Sequence, residues 1–406
     1  MQKIKVAMLF FALFTLGFVS CNSLASNNMP VQDMNVVMDI SVPDILKTMA
    51  KAHATDSNFT SAIIKAEEMQ ENRQNEFVDL FTEAFKATGS PLNTVFSTQE
   101  MKERINATSS DDQVSQILKE EVKRVTEKTM DVLRSRLKRF GVKHPDIQAA
   151  ETAGRIHIQM KGIRDPERIL KLIQTPGHLE LWETTDGKEV VQNIVAVNET
   201  GKEFENQTSA TEKITQEELV KINPIFALLI TDVYSKDPLY HDPIIGWAMA
   251  KDTAKISEYL KTAKEKKIIP SNIYPSWAIK SISKESDIFN LIALSSQESE
   301  GRKAMDVNQV TKTKVISPDG HIHISLDLDD KDAKDLAELT KKNVGKTIAT
   351  VWDGHVCSYP HILVEITVGH FEVVGNFTKE EAEDIANILM AKELPVPVKI
   401  IQSELY

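Results

Sequence analysis

Asn343-Val-Gly-Lys-Thr-Ile-Ala-Thr-Val-Trp352-Asp-Gly-His-Val-Cys-Ser-Tyr-Pro-His-Ile362, then Gly375-Asn-Phe-Thr-Lys-Glu-Glu-Ala-Glu-Asp-Ile-Ala-Asn-Ile-Leu389 and Leu394-Pro-Val-Pro-Val-Lys-Ile400, read as strand, turn, strand, helix and strand. Thr347 to Trp352 is rich in β-branched residues, and Asp353-Gly354 supplies the two-residue signal of a tight hairpin. Thr378-Lys-Glu-Glu381 is a capping box, and Ala382, Ile385, Ile388 and Leu389 follow on one helical face. The fold class expected is therefore α+β.

Upstream, Met34-Asn-Val-Val-Met-Asp-Ile alternates as a strand does, and Pro43-Asp44 opens helical, amphipathic sequence that runs to about Met101. Ser110-Asp-Asp-Gln113 caps a second, longer helix that stops near Gly141. Val114, Ile117, Leu118, Val122, Val125, Val132, Leu133, Leu137 and Phe140 mark its buried face. Arg134, Arg136, Lys138 and Arg139 lie in its last turns, where cations complement the helix dipole, so they are no sign of nucleic-acid binding. A strand near Ile147, another at Arg155 to Met160, a helix capped by Asp165-Pro166 and a strand at Leu179 to Trp182 complete the series. Strand, helix, two strands, helix, strand is the order of a ferredoxin-like sandwich.

At 406 residues the chain is long enough for more than one core. It is 41% hydrophobic and 26% charged, an ordinary globular composition, and its net charge of −11 argues against nucleic acid and anionic lipid surfaces as partners. Lys3 and Lys5 precede an apolar stretch from Val6 to Phe18, too short to span a bilayer, which ends at Val-Ser-Cys21. That is the pattern of a lipoprotein signal, so residues 1–20 are expected to be removed, Cys21 to carry the lipid, and 21–33 to be a tether. Cys357 is the other cysteine and is expected to be an inert thiol in the interior.

Val132-Leu-Arg-Ser-Arg-Leu-Lys-Arg-Phe-Gly-Val142, Arg155-Ile-His-Ile-Gln-Met-Lys-Gly-Ile-Arg-Asp-Pro-Glu-Arg168, Pro176-Gly-His-Leu-Glu-Leu-Trp-Glu183 and the C-terminal stretch together resemble the large first periplasmic domain of SecD, over about residues 34–401. Asn223-Pro-Ile-Phe-Ala and Pro243-Ile-Ile-Gly are similar to the longer version in fused SecDF proteins. The resemblance implies a ferredoxin-like base with an inserted, mobile head. The base is expected at 34–184, with a helical insertion at 43–109, the head at 185–376, the return to the base at 377–401 and a tail at 402–406. Glu183, Thr184, Gly375 and Asn376 are the expected hinge. The SecD family continues into a transmembrane bundle driven by protons; this sequence, ending at Tyr406, is expected to have no proton-driven activity of its own.

No enzymatic signature emerges. Gly345-Lys346-Thr347 lacks the earlier glycine of a phosphate loop, since Thr340 stands there, and it leads from helix to strand rather than the reverse. His321, His323, Asp327 and Asp329 share a strand region, a pattern that a solvated face explains without a metal. No Gly-x-Ser-x-Gly elbow accompanies the available Ser, His and Asp residues. No cofactor is expected. Trp182, Trp247, Trp277, Trp352 and Phe371 are candidates for an apolar client surface or for core. The expected function is a periplasm-facing, lipid-anchored protein that binds unfolded exported polypeptides or Sec translocon subunits, in the inner or outer membrane. A regulator that mimics the SecDF ectodomain, or an enzyme with a site in the head, are the alternatives.

Overall fold

The computed structural model describes residues 31–72, 76–196, 215–222, 224–231, 242–283, 285–296 and 305–406. The expected signal, the lipid-bearing Cys21 and most of the tether lie outside the described residues.

Strand β1 (Gln32–Ile40) buries Met34, Val36, Met38 and Ile40, the alternate residues that its pleat turns to one side. Ser41 caps α1 (Val42–Ala50), its hydroxyl accepting from the Asp44 N–H at 3.3 Å. Helices α2 (Ser57–Asn72), α3 (Phe77–Lys86) and α4 (Asn93–Phe96) follow. The rings of Phe59 and Phe96 sit edge-on to Phe81, with centroids 5.5 and 6.1 Å away, so this insertion has its own aromatic centre. The capping box at Ser110 and Gln113 opens α5 (Asp111–Arg139), whose Val114, Leu118, Val122, Leu133 and Leu137 are fully buried.

After β2 (Asp146–Ala149), β3 (Arg155–Ile163) and α6 (Pro166–Gln174) come β4 (Leu179–Thr184), α7 (Gly187–Ala196) and α8 (Gln216–Ile222). The chain continues through β5 (Ile244–Met249), α9 (Ala250–Glu265), β6 (Ile273–Trp277), β7 (Ile288–Ser295), β8 (Met305–Asp306) and β9 (Val310–Ile316). It closes with β10 (Ile322–Leu328), α10 (Asp330–Lys342), β11 (Ile348–Trp352), β12 (His355–Ser358), β13 (His370–Gly375), α11 (Lys379–Ala391) and β14 (Val398–Leu405).

Three antiparallel sheets result, and the chain is a mixed α+β protein. The first runs β14-β1-β3-β2, the second joins β12-β11-β4-β7-β5 with β6 on β7 and β8 on β4, and the third is β13-β10-β9. Two expectations are corrected here. Leu179–Thr184 does not close the first sheet; it pairs with β11, from Leu179 opposite Trp352 to Glu183 opposite Ile348, because Pro176 and Gly177 carry the chain out of the first layer after α6. The place is taken by β14, so Gln402–Leu405 is no tail: these residues pair with β1 from Val37 to Met34. They are exposed and, Leu405 apart, polar, and main-chain pairing at a sheet edge needs no buried side chains.

One apolar core runs from the first sheet and the helices through α11 to Ile324, Leu326 and Val373 of the third sheet. A second core lies between α7, α9 and strands β5 and β7.

Candidate functional site

The chain leaves the first layer at Thr175–His178 and, after α11 has packed back against that layer, crosses the same point at Lys392–Leu394 on its way to β14; both crossings are bound to one side chain, Arg136. Its place on α5, one turn from Leu133 and Phe140, turns it to the buried face, and the residue has no exposed surface. The guanidinium donates to the carbonyls of Leu172 (3.2 Å), Thr175, Pro176 (2.7 Å) and Lys392 (3.0 Å). Desolvation lowers its pKa to about 10, partly offset by Asp353 and Glu393, so it keeps its charge at neutral pH.

Asp353, first residue of the β11–β12 turn, reaches the same place. Its carboxylate accepts from the main-chain N–H groups of Gly177 (2.9 Å) and His178 (2.7 Å). Burial raises its pKa to about 6 against the lowering effect of those bonds and of Arg136. The Leu394 N–H donates to the Pro176 carbonyl at 2.9 Å, which ties the two crossings directly. This arrangement joins the two crossings and the β11–β12 turn at one point. His178, Glu180 and Asp306, beside it, form the one group among the described residues with ligand atoms close enough to hold a metal ion.

A second feature lies on the surface. Between β12 and β13 the segment Ile362-Leu-Val-Glu-Ile-Thr-Val-Gly369 is held by Ile362, which is buried, and by the Ile366 N–H, which donates to Thr340 Oγ1 at 2.9 Å. Residues beside these anchors point outward: Leu363, Val364 and Val368 are 81%, 69% and 80% exposed, and Val344, half-exposed, stands on the adjoining turn. Single exposed apolar residues are ordinary; here several stand together on one short, anchored loop.

Glu183 and Thr184 sit in the second sheet, Gly375 ends β13 of the third and Asn376 follows it outside any strand, so the four residues expected to form a hinge belong to different elements. Glu183 is buried and accepts from Asn343 Nδ2 at 3.0 Å, and the Thr184 hydroxyl bonds Thr347. Asn376 Nδ2 donates to the Ser281 carbonyl at 3.3 Å. The histidine–aspartate run is divided too: His323 lies between Glu372 and Asp319, Asp327 pairs with His370, and Asp329 caps α10. Trp182 and Trp352 are core; Trp277, half-buried, donates to Ser257 Oγ at 2.9 Å. Burial pushes the Cys357 thiol up to about 12.

Arg136 was legible in part, since its spacing from Leu133, Leu137 and Phe140 puts it on the apolar face of α5. The loop at 362–369 was legible as a β-branched run between Pro360 and Gly369, but whether such a run is buried is a tertiary matter.

Residues 126–186 match the family model described as "Protein translocase subunit SecDF, P1 domain, N-terminal", and residues 296–396 match "SecDF, P1 head subdomain". The chain is 25% identical over 390 residues to the protein translocase subunit SecD of Rhodothermus marinus, covering 91% of this chain and 60% of that protein. It is 26% identical over 294 residues to SecD of Calditerrivibrio nitroreducens, covering 70% and 42%. It therefore spans less than two thirds of the length of either relative. A solved structure described as "Structure and function of a membrane component SecDF that enhances protein export" aligns with a TM-score of 0.38 and 22% identity, over 68% of this chain and 91% of that one. No helix among the described residues is long and apolar enough to cross a membrane.

Proposed function

We propose, from the premise that this chain is a relative of SecD and SecDF alike over their P1 domain, that it is a non-enzymatic binding protein of protein export that holds segments of exported, unfolded polypeptide. The observation that carries the reading is the apolar loop at Leu363, Val364 and Val368, inside the stretch that matches the P1 head. An unfolded chain exposes apolar side chains at irregular intervals, and a short anchored loop of Leu and Val binds such segments without demanding a sequence. We read the first layer as a ferredoxin-like base, which the strand order β14-β1-β3-β2 supports, with the joint at Arg136 between base and head. In the same reading Cys21 carries a lipid, and the domain faces the periplasm.

The test is site-specific photo-crosslinking from positions 363 and 368 of the full chain in cells exporting an arrested precursor. Adducts with the precursor from both positions, and none from exposed Lys123 on α5, are expected. Absence of precursor adducts from a folded protein overturns the reading. Adducts with translocon subunits instead select a second reading, docking on the translocon. That second reading has its own support in the open face of the first sheet, where Asn35, Val37, His157, Gln159, Gln402 and Glu404 line a shallow groove.

A further inference from the structure

We infer that His178, Glu180 and Asp306 form a binding site for a divalent transition-metal cation of the Zn²⁺ type, placed against the joint between the first and second layers. His178 Nε2 lies 3.0 Å from Glu180 Oε1 and 3.3 Å from Asp306 Oδ1. Ligand atoms about 2.0–2.1 Å from a tetrahedral zinc stand roughly 3.3 Å from one another, so the spacing suits that cation with little adjustment.

The backbone independently points to a cation. Glu180 on β4 and Asp306 on β8 are direct cross-strand partners, and like charges placed opposite each other destabilise a sheet unless something positive lies between them. His178 is two residues before Glu180 and joins it on that side. Four carboxylates, those of Glu180, Asp306, Asp353 and Glu393, gather here and face Arg136 and the His178 ring, and a divalent ion relieves the excess.

The surroundings also orient the ligands. Glu393 Oε2 lies 2.8 Å from His178 Nδ1, so its negative charge favours the ring proton on that nitrogen and leaves Nε2 to face the metal. Trp182 Nε1 donates to Glu180 Oε2 at 3.2 Å, which turns the other oxygen toward the imidazole. Asp306 and His178 are partly exposed, so water can complete the coordination. One imidazole with carboxylates suits Zn²⁺ and its neighbours better than Mg²⁺ or Ca²⁺, which take oxygen ligands. Because Glu393 belongs to the return crossing and Glu180 to the second sheet, the bound ion would stiffen the joint without taking part in any reaction.

Isothermal titration of ZnCl₂ into the tag-free, chelator-treated full chain tests this. One saturable site is expected, with a rise in the thermal midpoint. His178→Ala removes the site, while its N–H to Asp353 is kept, and Glu393→Gln weakens binding about 10- to 100-fold. If His178→Ala does not fold, Asp306→Asn on the short β8 strand decides in its place, with the same loss expected. No saturable binding to the folded chain, binding unchanged in these variants, or equal affinity for Mg²⁺ overturns the inference.

Discussion

Arg136 and Lys392, 256 positions apart in the chain, meet where Nη2 of the first donates to the main-chain carbonyl of the second at 3.0 Å. The same guanidinium holds Leu172, Thr175 and Pro176, so one side chain on α5 fastens both strands of the passage between layers. Truncating it removes a donor from four carbonyls and the positive charge that faces the buried Asp353 carboxylate. Arg136→Ala is expected to cost about 3–5 kcal/mol in urea denaturation. Arg136→Lys recovers little, since a single ammonium cannot reproduce the planar fork that reaches carbonyls on two sides.

Gly177 sits under that fork with φ +87°, and a Cβ there would stand 2.6 Å from Ile388 Cγ2 and 2.7 Å from Arg136 Nη2. Gly177→Ala therefore combines backbone strain with displacement of the guanidinium. A loss of more than about 1 kcal/mol is expected. Paired with Arg136→Ala it should cost clearly less than the sum of the two, and strict additivity in the double-mutant cycle would show that the two residues act separately.

His323 makes stability depend on pH. Its imidazole lies 2.7 Å from Glu372 Oε2 and 3.1 Å from Asp319 Oδ1, and the bond to Glu372 does most to raise its pKa above the ordinary histidine value. A raised folded-state value means that the charged ring is favoured by folding. The stabilisation is fully present below about pH 6.5 and is lost as pH rises through the folded-state pKa. The urea midpoint of the wild type should exceed that of His323→Gln most at pH 5.5, and the difference should shrink by pH 8.5. A difference that grows with pH contradicts this.

Phe81 has no exposed surface and touches the rings of Phe59, Phe85 and Phe96, so it is the centre of the helical insertion. Phe81→Ala is expected to cost about 3–5 kcal/mol by denaturant titration.

Leu363→Asp with Val368→Asp has the opposite profile. Both side chains are about four-fifths exposed, so stability should change by no more than about 0.5 kcal/mol per site, while binding of an unfolded, fluorescently labelled polypeptide falls at least tenfold. Unchanged binding would remove the loop from the proposed function.

Some of these relationships were open to reading from residues alone. The capping boxes at Ser110 and Thr378 named the starts of α5 and α11 because a cap is local chemistry within four residues. The alternation of Met34, Val36, Met38 and Ile40 identified both the strand and its buried side. The Asp353-Gly354 turn was equally visible, with both residues at positive φ. Which strand pairs with which was not: Leu179–Thr184 and Val398–Leu405 were each plausible neighbours of the first layer, and only the path of Thr175–Gly177 separates them.

What the sequence determined by itself was the local structure, the α+β class and the resemblance to SecD, because helix caps, pleat periodicity and motif blocks need only neighbouring residues. What the tertiary structure alone decided was the meeting of Arg136, Asp353, His178 and Lys392, and the outward face of Leu363 and Val368. A charge reads alike on a surface and in a core, and an apolar run reads alike buried or bare. Desolvation and partners distinguish them, and these are set by segments hundreds of residues away.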